Sequence, residues 1–320
     1  MSNTSSGGPA PDVEIICDGL VFPEGPVALG DGSVVLVEIG AHCLTRVWPD
    51  GRKQRFAIPG GGPNGAAIGP DGAAYVCNSG GTKVVHEFGH FRTAGQPDDY
   101  SGGRIERVDM LTGEVKVLYR ECGGLRLRGP NDLVFDRHGG FYFSDIGKTR
   151  ARDRDRGGIF YALPDGSRIE ELVWPLHTPN GVGLSPDEQW LYVAETETAR
   201  LWKYRVLGPG RLDVLPYPVS TNGGTIVFGA GGFQRFDSLK VEADGRVCVA
   251  TLQNGGITVI DPRDCSASHV PMPDMTTTNL CFGGADLRTA YVTLSSTGRL
   301  ARLRWPRPGL KLNFSECARF

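Results

Sequence analysis

The sequence predicts an all-β fold, a six-bladed β-propeller with four antiparallel strands in each blade. Six segments share one plan, in which a polar residue precedes an alternating apolar run, a turn such as Asp-Gly and a second apolar run. Alternation with a period of two, bounded by Asp-Gly or Gly-Gly, is typical of a β-hairpin. The chain also has 46 glycines among 320 residues. That share is about twice the usual ~7%, which fits a fold with many tight turns.

The six segments begin 40 to 67 residues apart, which is enough chain for one four-stranded blade each. Other runs with their own turn residues lie between them, so each interval holds a second hairpin. Radial packing of six such units leaves no long exposed sheet edge. The same hairpins could build a β-sandwich or two small β domains, but the units are near-equivalent and no linker separates them. The segments begin at Glu24, Asn64, Asn131, Asn180, Asp237 and Asn279.

The domain organisation follows from this repeat. We expect a flexible tail over residues 1–12 and a single propeller domain over residues 13–320. The run VEIIC at 13–17 has no hairpin partner nearby, so we expect it to complete the last blade and close the ring. The longest interval contains an insertion around residues 80–103. It follows a strand that returns to the face where the segments begin, which predicts a lid or a pocket wall.

Composition and charge narrow the class of partner. The formal net charge is -2, from 34 basic and 36 acidic side chains, so no overall field favours nucleic acid or an anionic membrane. No apolar stretch approaches the ~20 residues of a membrane helix, and the N-terminus lacks the basic and apolar regions of a secretory signal. Eight dispersed cysteines without a C-x-x-C pair suit a reducing compartment. We therefore expect a cytoplasmic protein with a small-molecule partner, of unknown oligomeric state.

The polar residue that begins each segment should lie at the start of the innermost strand. Radial repetition then brings all six to one mouth of the central channel. Two of them are carboxylates, Glu24 and Asp237, and the other four are amides. Oxygen ligands without Cys or His match a hard divalent cation such as Ca²⁺, Mg²⁺ or Mn²⁺. Each residue could instead cap a turn, but crowding two carboxylates without a counter-ion is costly, which favours a metal site.

Further polar residues are candidates to contact a substrate at the same mouth. Asn64 belongs to the ring itself, and Asp145 ends a returning strand, where simple solvation is the alternative. The insertion carries HEFGH at 86–90, a literal H-E-x-x-H. A zinc protease needs both histidines on one face of a helix, and a glycine inside the motif disfavours that helix. His86 and His90 remain candidates to face the substrate.

Four motifs resemble the SMP-30/gluconolactonase/luciferin-regenerating-enzyme family: FPEGP (22–26), GPNDLVFD (129–136), TPNGVGLSPD (178–187) and FDSLKVEADG (236–245). The similarity runs from about residue 13 to about residue 305. Members of that family are six-bladed propellers with a divalent metal at the channel mouth, and most are lactone hydrolases. The resemblance implies that Glu24, Asn180 and Asp237 bind the metal, and that Asn131 contacts the metal or the substrate.

The function that we predict is metal-dependent hydrolysis of a lactone. The cation, Ca²⁺ in the first place with Zn²⁺, Mg²⁺ or Mn²⁺ as alternatives, polarises the carbonyl, and Asp237 takes a proton from the attacking water. A carboxylate bound to a cation has a depressed pKa and is a poor base, so Asp145, His86 or water activated by the cation are alternatives. A non-catalytic calcium-binding or protein-interaction propeller, or a different metal-dependent reaction, also remains open.

Overall fold

The computed structural model describes residues 11–320, so most of the predicted flexible tail lies outside the described residues. Six antiparallel sheets form the six blades of a β-propeller, which confirms the predicted fold class. Two short 3₁₀ turns, Ile39–Ala41 and Ser315–Cys317, are the helical elements of residues 11–320. Neither has the length or apolar character that a membrane span requires.

The first three blades follow an initial strand, β1 (Glu14–Cys17). Blade 1 contains β2 (Pro23–Ala28), β3 (Val34–Glu38), β4 (Cys43–Val47) and β5 (Lys53–Ala57). Blade 2 and its inserted hairpin contain β6 (Pro63–Ile68), β7 (Ala74–Asn78), β8 (Val84–Glu87), β9 (His90–Thr93), β10 (Arg104–Val108) and β11 (Val115–Tyr119). A small hairpin and blade 3 follow as β12 (Glu121–Cys122), β13 (Leu125–Arg126), β14 (Pro130–Phe135), β15 (Phe141–Asp145), β16 (Gly157–Ala162) and β17 (Ile169–Leu176).

The last three blades complete the ring. Blade 4 contains β18 (Pro179–Leu184), β19 (Trp190–Glu195), β20 (Arg200–Gly208), β21 (Arg211–Asp213) and β22 (Thr225–Gly229). Blade 5 contains β23 (Arg235–Val241), β24 (Val247–Leu252), β25 (Gly256–Ile260) and β26 (Ala267–Pro271). Blade 6 contains β27 (Thr277–Gly283), β28 (Thr289–Leu294) and β29 (Arg299–Arg304). In blade 4 both β21 and β22 pair with β20, so this blade has a fifth strand that the repeat does not predict.

The N-terminal strand closes the ring, as predicted. β1 pairs antiparallel with β29, so blade 6 has the order β1-β29-β28-β27. Arg302 and Glu14, which face each other in this pairing, form an ion pair of 2.7 Å. Residues from the two ends of the chain therefore share one sheet.

The hydrophobic core is divided among the blade interfaces. Residues 11–320 contain six clusters of buried apolar side chains, and each cluster joins two neighbouring blades. At the interface of blades 3 and 4, for example, Tyr142 and Tyr161 pack with Val182 and Tyr204. Apolar burial is the main favourable term in folding, so the blades stabilise each other through their faces and leave the channel to polar side chains.

Glycines allow neighbouring innermost strands to approach closely near the channel. A methyl group added to Gly65 would lie 2.7 Å from the Cα atom of Asp132 on the next blade. One added to Gly181 would lie 2.8 Å from the Cα atom of Ser238. Real Cβ atoms essentially never come within 3.0 Å of such backbone atoms. A residue with a side chain at either position would force the two strands apart.

The insertion, residues 80–103, runs across the face where the innermost strands begin, and we call it the strap. Its hairpin, β8 and β9, reaches blade 6, where the backbone N–H of Phe91 donates to the carbonyl of Ser296 at 2.8 Å. On the other side the N–H of Gln96 donates to the carbonyl of Thr149 in blade 3 at 2.9 Å. The strap therefore contacts blade 6 on one side and blade 3 on the other. That it acts as a lid remains a prediction.

Candidate functional site

The residues that begin the six segments lie at corresponding positions, the second or third residue of each innermost strand. Glu24, Asn131 and Asn180 are buried, and Asp237 is partly exposed. Asn279 of blade 6 is also buried, whereas Asn64 of blade 2 is partly exposed. The structure thus places the four predicted metal ligands at equivalent positions on blades 1, 3, 4 and 5.

A local irregularity of the backbone accompanies each of these residues. In all six blades the pairing of the innermost strand with its neighbour shifts register at or beside the ring position. In blade 1, for example, the shift falls between Glu24 and Val27, and in blade 5 between Phe236 and Leu239. A β-bulge bends a strand and re-aims a side chain, and such bulges are frequent next to active sites. The repeated bulge therefore explains how the polar side chains at this point can depart from the regular alternation of side-chain directions along the strand.

Glu24 is held in place by neutral donors. Its Oε2 atom accepts hydrogen bonds from Asn279 Nδ2 at 2.7 Å and from the backbone N–H of Gly25 at 2.6 Å. Burial raises the pKa of Glu24 from its usual 4.5 to about 7, in spite of these bonds, and the nearby charge of Asp132 adds to the rise. An ionised Glu24 is therefore costly in the absence of a compensating positive charge.

Asp237 is destabilised as an anion by the same surroundings. Burial raises the pKa of Asp237 well above its usual range, and the negative charge of Glu24 is the next largest cause. A hydrogen bond from Asn180 opposes these effects. Because the charge of Glu24 raises the pKa of Asp237, a cation bound beside both carboxylates would be strongly stabilised.

Two amides of the ring have side-chain oxygen atoms that could bind a ligand. Asn131 Oδ1 is buried and has no hydrogen-bond partner within residues 11–320. Asn180 donates through Nδ2 to Thr196 Oγ1 at 3.1 Å, and its Oδ1 accepts only a long bond of 3.4 Å from Ser238 within the described chain. An unpartnered buried carbonyl oxygen is unfavourable, and coordination of a cation would satisfy it.

This donor set fits a hard divalent cation. It combines two carboxylates with two amide oxygens, and such cations prefer oxygen ligands. No group of three or more His, Cys, Asp or Glu side chains is placed to hold a metal within residues 11–320. A metal bound at the ring would therefore depend on Asn131 and Asn180 as well as on the two acids.

The side chain of Asp145 is held by backbone N–H groups of blade 3. Its carboxylate accepts hydrogen bonds from the N–H groups of Arg128 and Gly129, both at 2.7 Å, and of Gly147 at 2.9 Å. It thereby fixes the segment that enters β14. Glu195 plays the same part in blade 4, since it accepts a bond of 2.8 Å from the N–H of His177. The strand-end residues thus anchor the segments that lead into the ring, a role that the sequence analysis missed.

The two histidines of the strap lie on a hairpin. His90 pairs with Glu87 across it, and His86 pairs with Phe91. Both histidines are exposed, and His90 Nδ1 lies 2.9 Å from the hydroxyl of Ser296. The helix that a zinc protease requires is replaced by two strands and a turn, as the glycine within the motif indicated.

Two further charged residues lie beside the ring and were not singled out in the sequence. Asp132, next to Asn131, is buried, and its Oδ2 atom lies 3.6 Å from the ammonium of Lys240. Burial raises the pKa of Asp132, and the charge of Lys240 is the largest opposing cause. The available signal for both was a charged residue beyond the ring position on an innermost strand.

Comparison with known proteins agrees with the resemblance noted in the sequence. Residues 22–296 match the model of the SMP-30/Gluconolactonase/LRE-like region. The chain belongs to this family. All four candidate metal ligands, Asn64, Asp145 and the strap lie within the matched range.

Two curated relatives and one solved structure show how far the similarity to this family extends. The chain is 27% identical to the gluconolactonase of Zymomonas mobilis over 299 residues, covering 85% of this chain and 76% of the relative. It is 28% identical to the lactonase drp35 of Staphylococcus haemolyticus over 258 residues, covering 80% and 69%. The structure of regucalcin, a calcium-binding protein from Agrobacterium tumefaciens, superposes with a TM-score of 0.71 at 18% identity, covering 95% and 98%.

The raised pKa of Glu24 predicts a pH dependence for this family member. Between pH 4.5 and about 7, folded Glu24 keeps a proton that the unfolded chain has lost. The metal-free protein should therefore lose stability as the pH rises through this interval. A cation bound by Glu24 would displace the same proton, so the affinity for Ca²⁺ should fall by at least about tenfold for each pH unit below 7. Calorimetric titrations between pH 5.5 and 7.5 measure this, and Glu24→Gln is the control, since it should bind weakly at every pH. A pH-independent affinity of the parent would contradict the prediction.

Proposed function

We propose that the protein is a metal-dependent lactonase, which opens a cyclic ester by hydrolysis. The observation that carries the proposal is the pair Glu24 and Asp237, in which the charge of Glu24 raises the pKa of Asp237, together with the buried amide oxygen of Asn131, which has no hydrogen-bond partner within residues 11–320. Its second support is the similarity to relatives named gluconolactonase and lactonase drp35. The proposed partner is therefore a small-molecule lactone. The eight free thiols of the chain support the proposal of a cytoplasmic location.

The proposed cofactor is one divalent cation held by Glu24, Asn131, Asn180 and Asp237. Ca²⁺ is our first choice because the ligands are all oxygen atoms and because a calcium-binding protein shares the fold. When bound, the cation would polarise the lactone carbonyl and stabilise the negative charge that develops on its oxygen. The family supplies the same expectation, and the unpartnered oxygen of Asn131 supports it independently.

Asp237 is the proposed base that takes a proton from the attacking water. It is the one acid of the ligand set that is partly exposed, so water entering through the mouth can reach it. Asp145 suits this role less well, because three backbone N–H groups occupy its oxygens. We propose that Asn64 and the strap residues His86 and His90 contact the substrate, since they are exposed at the same face.

Removal of the cation tests the proposed function. Hydrolysis of a panel of γ- and δ-lactones should fall by at least about a hundredfold after treatment with EDTA, since charge stabilisation is typically worth that much. Added Ca²⁺ should restore the rate. Thermal unfolding of the treated protein is the control, because it distinguishes loss of the cation from loss of the fold. A full rate after exhaustive chelation would refute metal dependence, and no hydrolysis of any lactone would refute the lactonase itself.

A further inference from the structure

Lys240 places a positive charge inside the channel, just below the ring. Its side chain is 13% exposed, and its ammonium donates to the carbonyl of Leu239 at 3.0 Å. The same ammonium lies 3.6 Å from Asp132 Oδ2. Asp132 belongs to blade 3 and Lys240 to blade 5, and blade 4 separates them. An ion pair between strands that are not neighbours must cross the channel, so the ammonium lies within it.

The ammonium is also connected to Glu24. It donates to Asn279 Oδ1 at 3.4 Å, and the Nδ2 atom of the same amide donates to Glu24 Oε2 at 2.7 Å. The N–H of Leu280 donates to Asn279 Oδ1 at 2.8 Å and fixes the amide in this orientation. Lys240 thus contacts one acid of the channel directly and a second through an amide.

The charges around this position are unbalanced. Glu24, Asp132 and Asp237 bring three carboxylates close together, of which the first two are buried and the third is partly exposed. Among the basic side chains of residues 11–320, only Lys240 forms an ion pair with any of the three. One positive charge therefore faces three acids, and two acids remain to neutralise a divalent cation.

We propose that Lys240 is a counter-cation built into the chain, a positioning residue that stabilises the metal-free ring and limits its affinity for a divalent cation. Its charge offsets that of Asp132 in the absence of metal. The same charge repels a bound cation, and at short range in a partly buried site this repulsion outweighs the loss of one hydrogen bond to Asn279. The effect on cation affinity rests on the proposed metal site, whereas the effect on the metal-free protein does not.

Lys240→Met tests the proposal, because methionine keeps the length of the side chain and removes its charge. Without metal, the melting temperature should fall by about 5 °C or more, as expected when one partner of a buried ion pair is lost. Saturating Ca²⁺ should restore most of the loss, since a ligand stabilises the state that it binds. The affinity for Ca²⁺, measured by calorimetry, should rise by at least about tenfold.

The double variant Lys240→Met/Asp132→Asn removes both charges of the pair. It should return the metal-free melting temperature and the Ca²⁺ affinity close to those of the parent. Lys116→Met, on β11 at the outer edge of blade 2, is the matched control, because Lys116 is exposed and belongs to none of the ion pairs found within residues 11–320, and it should change neither quantity.

Three results would overturn the proposal. The first is an equal loss of melting temperature in Lys240→Met with and without Ca²⁺, which indicates a purely structural role. The second is an unchanged or weaker affinity for Ca²⁺, and the third is failure of Asp132→Asn to rescue the metal-free protein. If the parent itself binds no divalent cation, the proposed metal site fails instead, and the metal-free comparison of the single and double variants still decides whether Lys240 is a counter-cation.

Discussion

Asp237→Asn should reduce kcat/KM for lactone hydrolysis by about a thousandfold or more, yet raise the stability of the metal-free protein. The loss of activity follows because the variant lacks both a metal ligand and the proposed base, and general-base catalysis alone contributes about 10²–10⁴. The gain in stability follows because folded Asp237 has a raised pKa. Such a carboxylate destabilises the folded state wherever it must ionise, and asparagine removes that charge.

Steady-state kinetics in the presence of Ca²⁺ measures the first effect, and thermal unfolding at pH 8 in EDTA measures the second. The matched control is Asp213→Asn, an exposed carboxylate at the end of β21 on the outer part of blade 4, which should alter neither. A folded Asp237→Asn variant with the parent's activity on every lactone would show that the ring does not perform the chemistry. If Asp237→Asn melted at a lower temperature than the parent in EDTA, the charges of Glu24 and Asp237 would not be destabilising the folded protein.

Gly181→Ala should destabilise the propeller by about 3 kcal/mol or more. The added methyl group would overlap the backbone of Ser238 and Leu239 on blade 5. Overpacking of a side chain against another side chain typically costs about 1–3 kcal/mol, and here the neighbour is backbone within a closed ring, which has less freedom to move. We expect the ring to strain between blades 4 and 5, where Asn180 and Asp237 lie.

Urea unfolding of Gly181→Ala against the parent measures this loss. Gly30→Ala is the matched control, since Gly30 is exposed and its methyl group would meet nothing within 4 Å. It should stay within about 0.5 kcal/mol of the parent, as substitutions on a free surface usually do. Equal stabilities of the two variants would mean that the close approach of the strands is not needed.

The repeat in the sequence was sufficient to predict the architecture. Alternation and turn residues predicted six blades, and the unpaired run before blade 1 predicted the closing strand that pairs with β29. Glu24 and Asp237 could be chosen as candidate ligands because they are the two acids at equivalent positions, whereas the choice of Asn131 and Asn180 among the four amides came from the family resemblance. These features are local or periodic, and a single sequence displays them directly.

Other features depend on contacts that only the closed ring creates. The hydrogen bonds of Asp145 to three backbone N–H groups depend on the path of a neighbouring loop. The approach of Lys240 to Asp132 depends on the width of the channel. The bulges beside the ring residues and the fifth strand of blade 4 also have no local signal that distinguishes them from ordinary hairpins. The sequence therefore predicts which residues face the mouth better than what each of them contacts.

The bond between Glu24 and Asn279 joins residues 255 positions apart in the chain. Contacts of such high sequence separation form late in folding, because the entropy of a very long loop must be overcome before they form. During synthesis Glu24 emerges early, but its partner belongs to the last blade, which is also the blade that β1 completes. The candidate site therefore cannot be assembled by any partial set of blades. Its presence is a direct indication that folding of the whole ring has finished.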